Sequence, residues 1–547
     1  MIKKFINGNI FNGKPTESIT AAAFIISAAA IASRLLGLFR DRILAAQFGA
    51  GDTLDMYYAA FRVPDLVYNL LVLGALSAAF IPVFTSLHST EKNEDAWKLA
   101  SGILNLQTIA VFLISGTFAI FAPWLLHIIT PGFSDEKVAM AAVFSRIMFL
   151  SPVLLGISAI FGGILVSFKK FLIYSLAPIF YNIGIIIGAL FFVPMIGIAG
   201  LAWGVVLGAG LHMLVQYPAV KFSGFRYLPM SFSVLKDRHI RKVIRLMIPR
   251  ALGIAVNQVN LLIITIFAST LAVGSITIFT FANNIQATPV SLFGSSFAIA
   301  VFPLLSAYAA KNLKSDFLKD FSKTLRRILF FIIPLTAVLI ILRAQIVRVI
   351  LGTGKFDWED TVFTFQVLGL LSLSLFAQAL MPLLTRSFYA LHNTKTPFYI
   401  ALVSEAVNIL LVIFLIRPYG IYGLAIAFSA ASIANAALLS LFLRRHFKEQ
   451  KIPPIYGWIF KVIIISAAAG FFIQIAKYGM DYLVNIDTFV GIFSQLVVSC
   501  AAGLLAFASL CYFFNIEEFH HFKHSLKRRL LRIKEPIEEG INEVEGV

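Results

Sequence analysis

Apolar runs long enough to cross a bilayer recur from residue 18 to residue 514, separated only by short polar breaks. A hydrocarbon core of about 30 Å needs roughly 20 apolar residues of helix, and within it every backbone N–H and C=O must be satisfied internally. The runs are therefore helices, and the fold class is an all-α polytopic membrane protein. Composition agrees, because 59% of the 547 residues are hydrophobic and 13% are charged, where a soluble domain carries about 25% charged residues. Mean hydropathy is +0.87. Turn and breaker residues divide the chain into about fourteen helices, at 18–39, 53–87, 97–129, 138–168, 172–195, 200–222, 246–271, 275–308, 324–351, 360–390, 397–416, 421–443, 455–478 and 488–514.

The formal charge of +18 sits in short segments flanking the apolar runs, the footprint of cytoplasmic loops facing anionic lipid rather than of nucleic-acid binding. With both termini inside, the inner loops receive Lys92, Lys98, Lys169, Lys170, the clusters at 236–245 and 311–327, Lys395 and the cluster at 444–451. The outer loops keep Lys137, Lys355, Lys477 and some helix-end arginines. The positive-inside rule then predicts an even number of spans with N-in, C-in topology. The first residues, MIKKFINGNIFNGKPTES, have no apolar core or small-residue cleavage site and read as a retained cytoplasmic tail. Cys500 and Cys511 share one apolar segment, about 16 Å apart along a helix, and cannot bridge each other.

An internal repeat runs through the chain. Leu36-Gly37 is echoed by Leu252-Gly253, and GALSAAFIPVF at 74–84 by SSFAIAVFPLL at 295–305. The expected organisation is a cytoplasmic tail at 1–17, a six-helix lobe at 18–223, a cytoplasmic linker at 224–245, a second six-helix lobe at 246–446, two further helices within 454–516 and a cytoplasmic tail at 517–547. Repeats of this kind place a substrate site between the halves and permit alternating access. Pro64, Gly74 and Pro82 interrupt the second helix, and broken backbone at membrane depth survives only where it is buried or lines a cavity; a packing kink is the plainer alternative.

The stretch 33–84 sets Arg34, Arg40, Asp41, Arg42, Asp55, Arg62 and Asp65 into bilayer-compatible sequence. Each charge at that depth costs several kcal/mol unless it is paired or faces a wet cavity, so the cluster is a candidate site for an anionic payload. Asp55 and Arg62, seven residues apart, nearly eclipse on an ideal helix, with Tyr58 one turn from Asp55 on the same face, and are expected as a cavity-facing pair. Arg34 and Arg40 point about 120° apart and converge only if the first helix bends or ends at Gly37. Guanidinium suits a diphosphate because its planar fork grips phosphate oxygens bidentately and stays charged. The competing reading has these arginines snorkelling to headgroups and pairing with Asp41 and Asp55.

The motifs SRLLGLFRD, FGAGDTLDMYYAAFRVPDL, TPGF after the third helix, APIFYNIGIIIG at 177–188, GKF at 354–356 and RSFYALHNTKTP at 386–397 resemble, in order, the MurJ (MviN) lipid II flippases of the MOP exporter superfamily. That resemblance implies fourteen helices, two six-helix lobes, a central cationic cavity and a lipid-tail groove formed by the last two helices. It places the family's essential first-helix arginines on Arg34 and Arg40, its second-helix acid on Asp55 and the following basic residue on Arg62. It implies an undecaprenyl-diphosphate-linked muropeptide, lipid II, as substrate. The chain departs from the family where FANNIQATP puts Asn283 and Asn284 at the eighth-helix A-[DN]-R motif, and where Tyr68 or Asn69 and Leu73 stand at a second-helix arginine and glutamate. Cationic character is thereby concentrated in the N-terminal lobe.

Other polar residues carry further expectations. Glu405 lies mid-helix beside Ser404, with Asn408 one turn on, and is a candidate Na⁺ or proton site, or a neutralised structural carboxyl. Arg146 either lines the cavity or packs against a partner. His520, His521 and His524 have metal-like spacing, but HHFKHSLKRRLLRIK reads as a basic amphipathic helix on anionic lipid, and no metal site is expected. GTGKF at 352–356 lacks the spacing and the Ser/Thr of a phosphate loop. No GxSxG, HExxH or paired CxxC is present, so the expectation is a transporter and not an enzyme. It needs no cofactor and is coupled to Na⁺, H⁺ or membrane potential. The expected setting is the cytoplasmic (inner) membrane, as a monomer among membrane lipids. The alternatives are another MOP-superfamily exporter, of lipid-linked oligosaccharide or of drugs, and a non-transporting scaffold.

Overall fold

The computed structural model describes residues 19–73, 80–90, 93–229, 237–447 and 455–530, and no strand occurs among them. The expected tail at 1–17, the chain beyond 530, Gly74, and residues 230–236 of the linker lie outside the described residues. In the N-terminal half α1 (Ile19–Phe48) leads into α2 (Asp52–Tyr68), which ends in a π-helical turn at Asn69–Leu73 before α3 (Ile81–Ser89). There follow α4 (Asn93–Ile120), α5 (Ala122–Ile129), α6 (Asp135–Met148), α7 (Leu150–Ser167), α8 (Phe171–Ile187), α9 (Gly200–Leu214) and α10 (Tyr217–Phe222). The C-terminal half opens with α11 (Arg238–Ser269) and α12 (Ser275–Pro289), which passes through a π-helical turn at Val290–Ser295 into α13 (Ser296–Ala310). Then come α14 (Lys314–Ile341), α15 (Arg343–Ile350), α16 (Trp358–Ser372), α17 (Leu375–Ala390) and α18 (Lys395–His446). Last are α19 (Tyr456–Leu483), α20 (Phe489–Phe513) and α21 (Glu517–Leu530).

Among the described residues eight helical stretches are long and apolar enough to cross a membrane, nine if the 48° bend between α16 and α17 lies within one span. Two of them, Phe171–Phe222 and Lys395–His446, are 52 residues long. At 1.5 Å per residue each is about 78 Å, more than twice the hydrocarbon thickness. Both double back. Gly420 has φ 53°, and a Cβ built on Gly423 would lie 2.3 Å from the Leu415 carbonyl oxygen. Gly197, with φ 73°, reverses the other. The helical pattern is consistent with the fourteen passes expected from the apolar runs.

Small residues let the hairpin α8–α9 close. A Cβ on Gly184 would lie 2.2 Å from the Gly208 Cα, and one on Gly188 2.3 Å from the Gly204 Cα. In lipid, where burying apolar surface gives no drive to associate, such backbone approach supplies the packing. The repeat is visible as structure too. In the register that matches Gly74 with Ser295, Asn69 matches Val290, so the two π-helical turns occupy equivalent places in the second helix of each half. The first helix corrects an expected boundary: α1 runs unbroken through Gly37 to Phe48, placing Arg40, Asp41 and Arg42 inside it. The halves meet where α2 packs on α11 and α12, and α1 on α12 and α15. Helices α19 and α20 pack on each other and on α14, around a separate small core of Phe330, Ile465, Ala469, Phe507, Cys511 and Ile516.

Candidate functional site

Arg40 sits at the seam between the halves. Its Nε and Nη2 donate to one oxygen of the adjacent Asp41 at 3.0 and 2.7 Å, and its Nη1 donates to Asn182 Oδ1 of α8 at 3.1 Å. Asp41 is 2% exposed, and its other oxygen accepts from Asn284 Nδ2 of α12 at 2.9 Å. Burying that carboxylate is affordable only because guanidinium and amide satisfy it. Asp41 therefore orients Arg40 instead of lining a cavity. The α12 position where the family pattern has arginine carries an amide that ties the halves together through Asp41; the neighbouring Asn283 is half-buried.

Arg62 spans the seam directly. From α2 it donates to Thr265 of α11 at 2.9 Å and Thr280 of α12 at 3.3 Å. Both hydrogen-bond partners are neutral, and the compensating negative charge comes from Asp65, one turn along α2.

The expected Asp55–Arg62 pair does not form. Asp55, 4% exposed, accepts from the backbone N–H of Gly274 at 2.7 Å and from the N–H and hydroxyl of Thr277 at 2.9 and 2.7 Å. Helix α12 starts at Gly274 with no side-chain cap of its own, and its orphan N–H groups and dipole attract a carboxylate. Asp55 is thus a cap lent by one half to the other, not a cavity ligand. Tyr58, expected in the cavity, is 8% exposed and packs edge-on against Tyr57 and Phe281. Its apolar ring is worth more in that core than in water.

Arg34 stands on an exposed part of α1, and no hydrogen bond or ion pair joins it to Arg40. Because α1 does not break at Gly37, the two keep the 120° divergence of an ideal helix. Arg146 is exposed and donates to the Ala119 carbonyl at the end of α4, 3.1 Å away, which is the packing alternative for that residue.

Asp55 belongs to a wider closure at one end of the bundle. Asp360 of α16 accepts the Ala50 N–H at 2.8 Å, and the Lys355 N–H donates to the Ala46 carbonyl at 2.8 Å. The Arg42 guanidinium donates to the carbonyl of Val349 at the end of α15, where a cation also meets the negative end of the helix dipole. Glycines permit the contact: a Cβ on Gly274 (φ 90°) would lie 2.1 Å from the Ala50 oxygen, and one on Gly354 (φ 61°) 2.2 Å from the Ala46 oxygen.

In the C-terminal half Glu405 is buried, with its carboxylate accepting from Asn260 Nδ2 of α11 at 2.5 Å and Asn408 Nδ2 at 3.4 Å. The Oδ1 atoms of Asn260 and Asn408 and the Ser404 hydroxyl are buried without a partner among the described residues. Sequence reading missed Asn182, Asn260, Thr265, Thr277, Thr280 and Asp360. Asn260 had a signal, an amide in an apolar helix, but its pairing with Glu405 is tertiary.

Residues 44–494 match the family model described as lipid II flippase MurJ. The chain belongs to the MurJ family. It is 30% identical over 518 residues to a probable lipid II flippase MurJ of Bdellovibrio bacteriovorus, covering 93% of this chain and 97% of that one. A Vibrio cholerae protein of the same description is 31% identical over 441 residues, 79% of this chain and 84% of that one. Among solved structures, a lipid II flippase MurJ in an inward closed conformation matches with a TM-score of 0.73 and 26% identity, over 90% of this chain and all of that one. An inward-facing multidrug-resistance MATE transporter of the MOP superfamily shares the fold, with a TM-score of 0.65, 14% identity, and 76% and 95% coverage. In this MurJ-family chain, then, the two seam arginines stand where two halves of a transporter fold meet.

Proposed function

We propose that this chain flips lipid II across the cytoplasmic membrane by alternating access, with Arg40 and Arg62 receiving the diphosphate of the lipid-linked headgroup. The observation that carries the reading is the pair of guanidinium groups at the seam, Arg62 bonded directly to the C-terminal half and Arg40 linked to it through Asp41 and Asn284, in a chain of the MurJ family. Arg62, held by neutral threonines with Asp65 beside it, offers its fork to phosphate oxygens, while Arg40 exchanges the fork it gives Asp41 for them. Arg34, exposed on α1, adds the third cation as the headgroup enters. The few lysines and arginines in the loops at the closed end support its facing outside the cell. On that reading the protein is shut toward the outside, and flipping requires the Asp55 and Asp360 contacts to release.

Transport is measured by the accessibility of labelled lipid II to an external probe in vesicles containing the purified protein. Arg62→Ala, which leaves Asp65 its side-chain hydrogen bonds with Asn69 and Gln258, should insert normally and lose transport, with Lys restoring it only in part because a point charge replaces the fork. Wild-type transport by the Ala variant would overturn the reading.

Glu405 favours a coupling role. Its carboxylate, the two amide oxygens and the Ser404 hydroxyl form a hard oxygen donor set of the kind that suits an alkali cation. A cation bound there would supply one positive charge to a buried carboxylate. It shifts the balance of transporter states only through its unequal affinity for them.

A further inference from the structure

We infer that α21 is a docking site for anionic phospholipid headgroups of the inner leaflet, and that its seating clamps α14 against α20. One side of this helix is anchored to the protein. Glu518 accepts the Trp458 indole N–H at 2.9 Å, and Glu517 stands 3.9 Å from Arg326 of α14. Phe522 meets Phe331 of α14 edge-on at 5.6 Å, and Ile516 at the start of the helix joins Phe330, Phe507 and Cys511 in the small C-terminal core. The other side is exposed and cationic. His521, Lys523 and His524 are open, with the Lys523 ammonium 5.0 Å over the Tyr512 ring at the end of α20, and the sequence adds Lys527, Arg528 and Arg529 within the same helix.

Both acids lie in the first turn, Glu518 turned to Trp458 and the exposed Glu517 balanced by Arg326, so the charges the helix carries beyond that turn are of one sign. That separation, beside the cytoplasmic ends of two spans, complements a surface of anionic lipid and not a neutral one. The anchoring reaches further. Phe331 stacks on Phe293 at 4.7 Å and Phe297 at 6.2 Å, so the seat of α21 continues through α14 to the π-helical turn after α12. The inference is independent of which substrate the protein moves.

Cys511 supplies the readout, being fully buried under Ile516 in the core that α21 helps cover. The full chain carrying Cys500→Ser is reconstituted in phosphatidylcholine vesicles, with or without phosphatidylglycerol, and the rate of Cys511 modification by N-ethylmaleimide is followed. Phosphatidylglycerol should slow modification, high salt should reverse the slowing, and Lys523→Glu should remove about fivefold of it or more. Lys523→Arg should behave as the parent, and Lys314→Glu, at the first residue of α14, should change nothing. Phe522→Ala, which loosens the seat itself, should speed modification in both lipids. Equal rates in neutral and anionic vesicles, or unchanged protection in Lys523→Glu, would overturn the inference.

Discussion

Replacing Asp55 by Ala should open the end of the bundle that the carboxylate holds shut. The side chain accepts three hydrogen bonds, all between 2.7 and 2.9 Å, from Gly274 and Thr277. Loss of an N-cap costs about 1 kcal/mol where water can replace it. A buried N–H left without a partner costs about 1–3 kcal/mol, and two backbone donors are exposed to that fate here. A net loss of about 3 kcal/mol from the closed state is reasonable, equivalent to about 150-fold in the closed-to-open ratio. A protein resting at about 99:1 closed would become nearly evenly divided. The folded halves keep their own cores, so the loss falls on the contact between them. Cysteines at Glu136 and Thr270, exposed positions on either side of the closure, carry spin labels after Cys500 and Cys511 are replaced by Ser. The parent should give one short distance, and Asp55→Ala a second, longer population of similar weight. Thr277→Val, which removes only the hydroxyl bond, should shift the balance by about 1 kcal/mol. An unchanged distance distribution in Asp55→Ala would refute the assignment of this carboxylate as the cap that locks the halves.

Arg40→Ala should abolish transport and also lower stability by about 3–5 kcal/mol, because Asp41 is left buried with only Asn284 for a partner; adding Asp41→Asn should recover most of the melting temperature but none of the transport. Gly188→Val should depress the melting temperature in detergent, since its branched side chain forces α8 and α9 apart at the Gly204 contact, at a cost of about 1–3 kcal/mol or more; an unchanged temperature would mean the helices are not in backbone contact. Glu405→Gln keeps the size and hydrogen-bonding capacity of the side chain while removing its charge, so lipid II binding should persist and transport in vesicles should lose its dependence on an imposed Na⁺ or proton gradient. Retention of the gradient dependence would make Glu405 structural.

Periodicity and cost were enough to read a good deal of this molecule from its residues. Twenty-residue apolar runs have one structural solution in a bilayer, so the all-helical class and the approximate helix boundaries follow from spacing alone. The charges at 34–65 had to be held by something, which marked Arg40 and Arg62 for attention. The repeat at 74–84 and 295–305 indicated where equivalent breaks lie, and the paired π-helical turns occupy that register. Partnership was a different matter. On an isolated helix Asp55 and Arg62 face the same way and look like a pair, yet the folded chain offers Asp55 an uncapped helix start at Gly274 and offers Arg62 the hydroxyls of Thr265 and Thr280. Those groups lie more than 200 positions away, and no local rule relates them. The same holds for Asn260 beside Glu405 and for Asn284 beneath Asp41. Which residues are charged, and that their charges must be compensated, is a property of the sequence; which donor or acceptor compensates each is settled by the packing of the two halves, because only there do distant helix ends and side chains come within hydrogen-bonding distance.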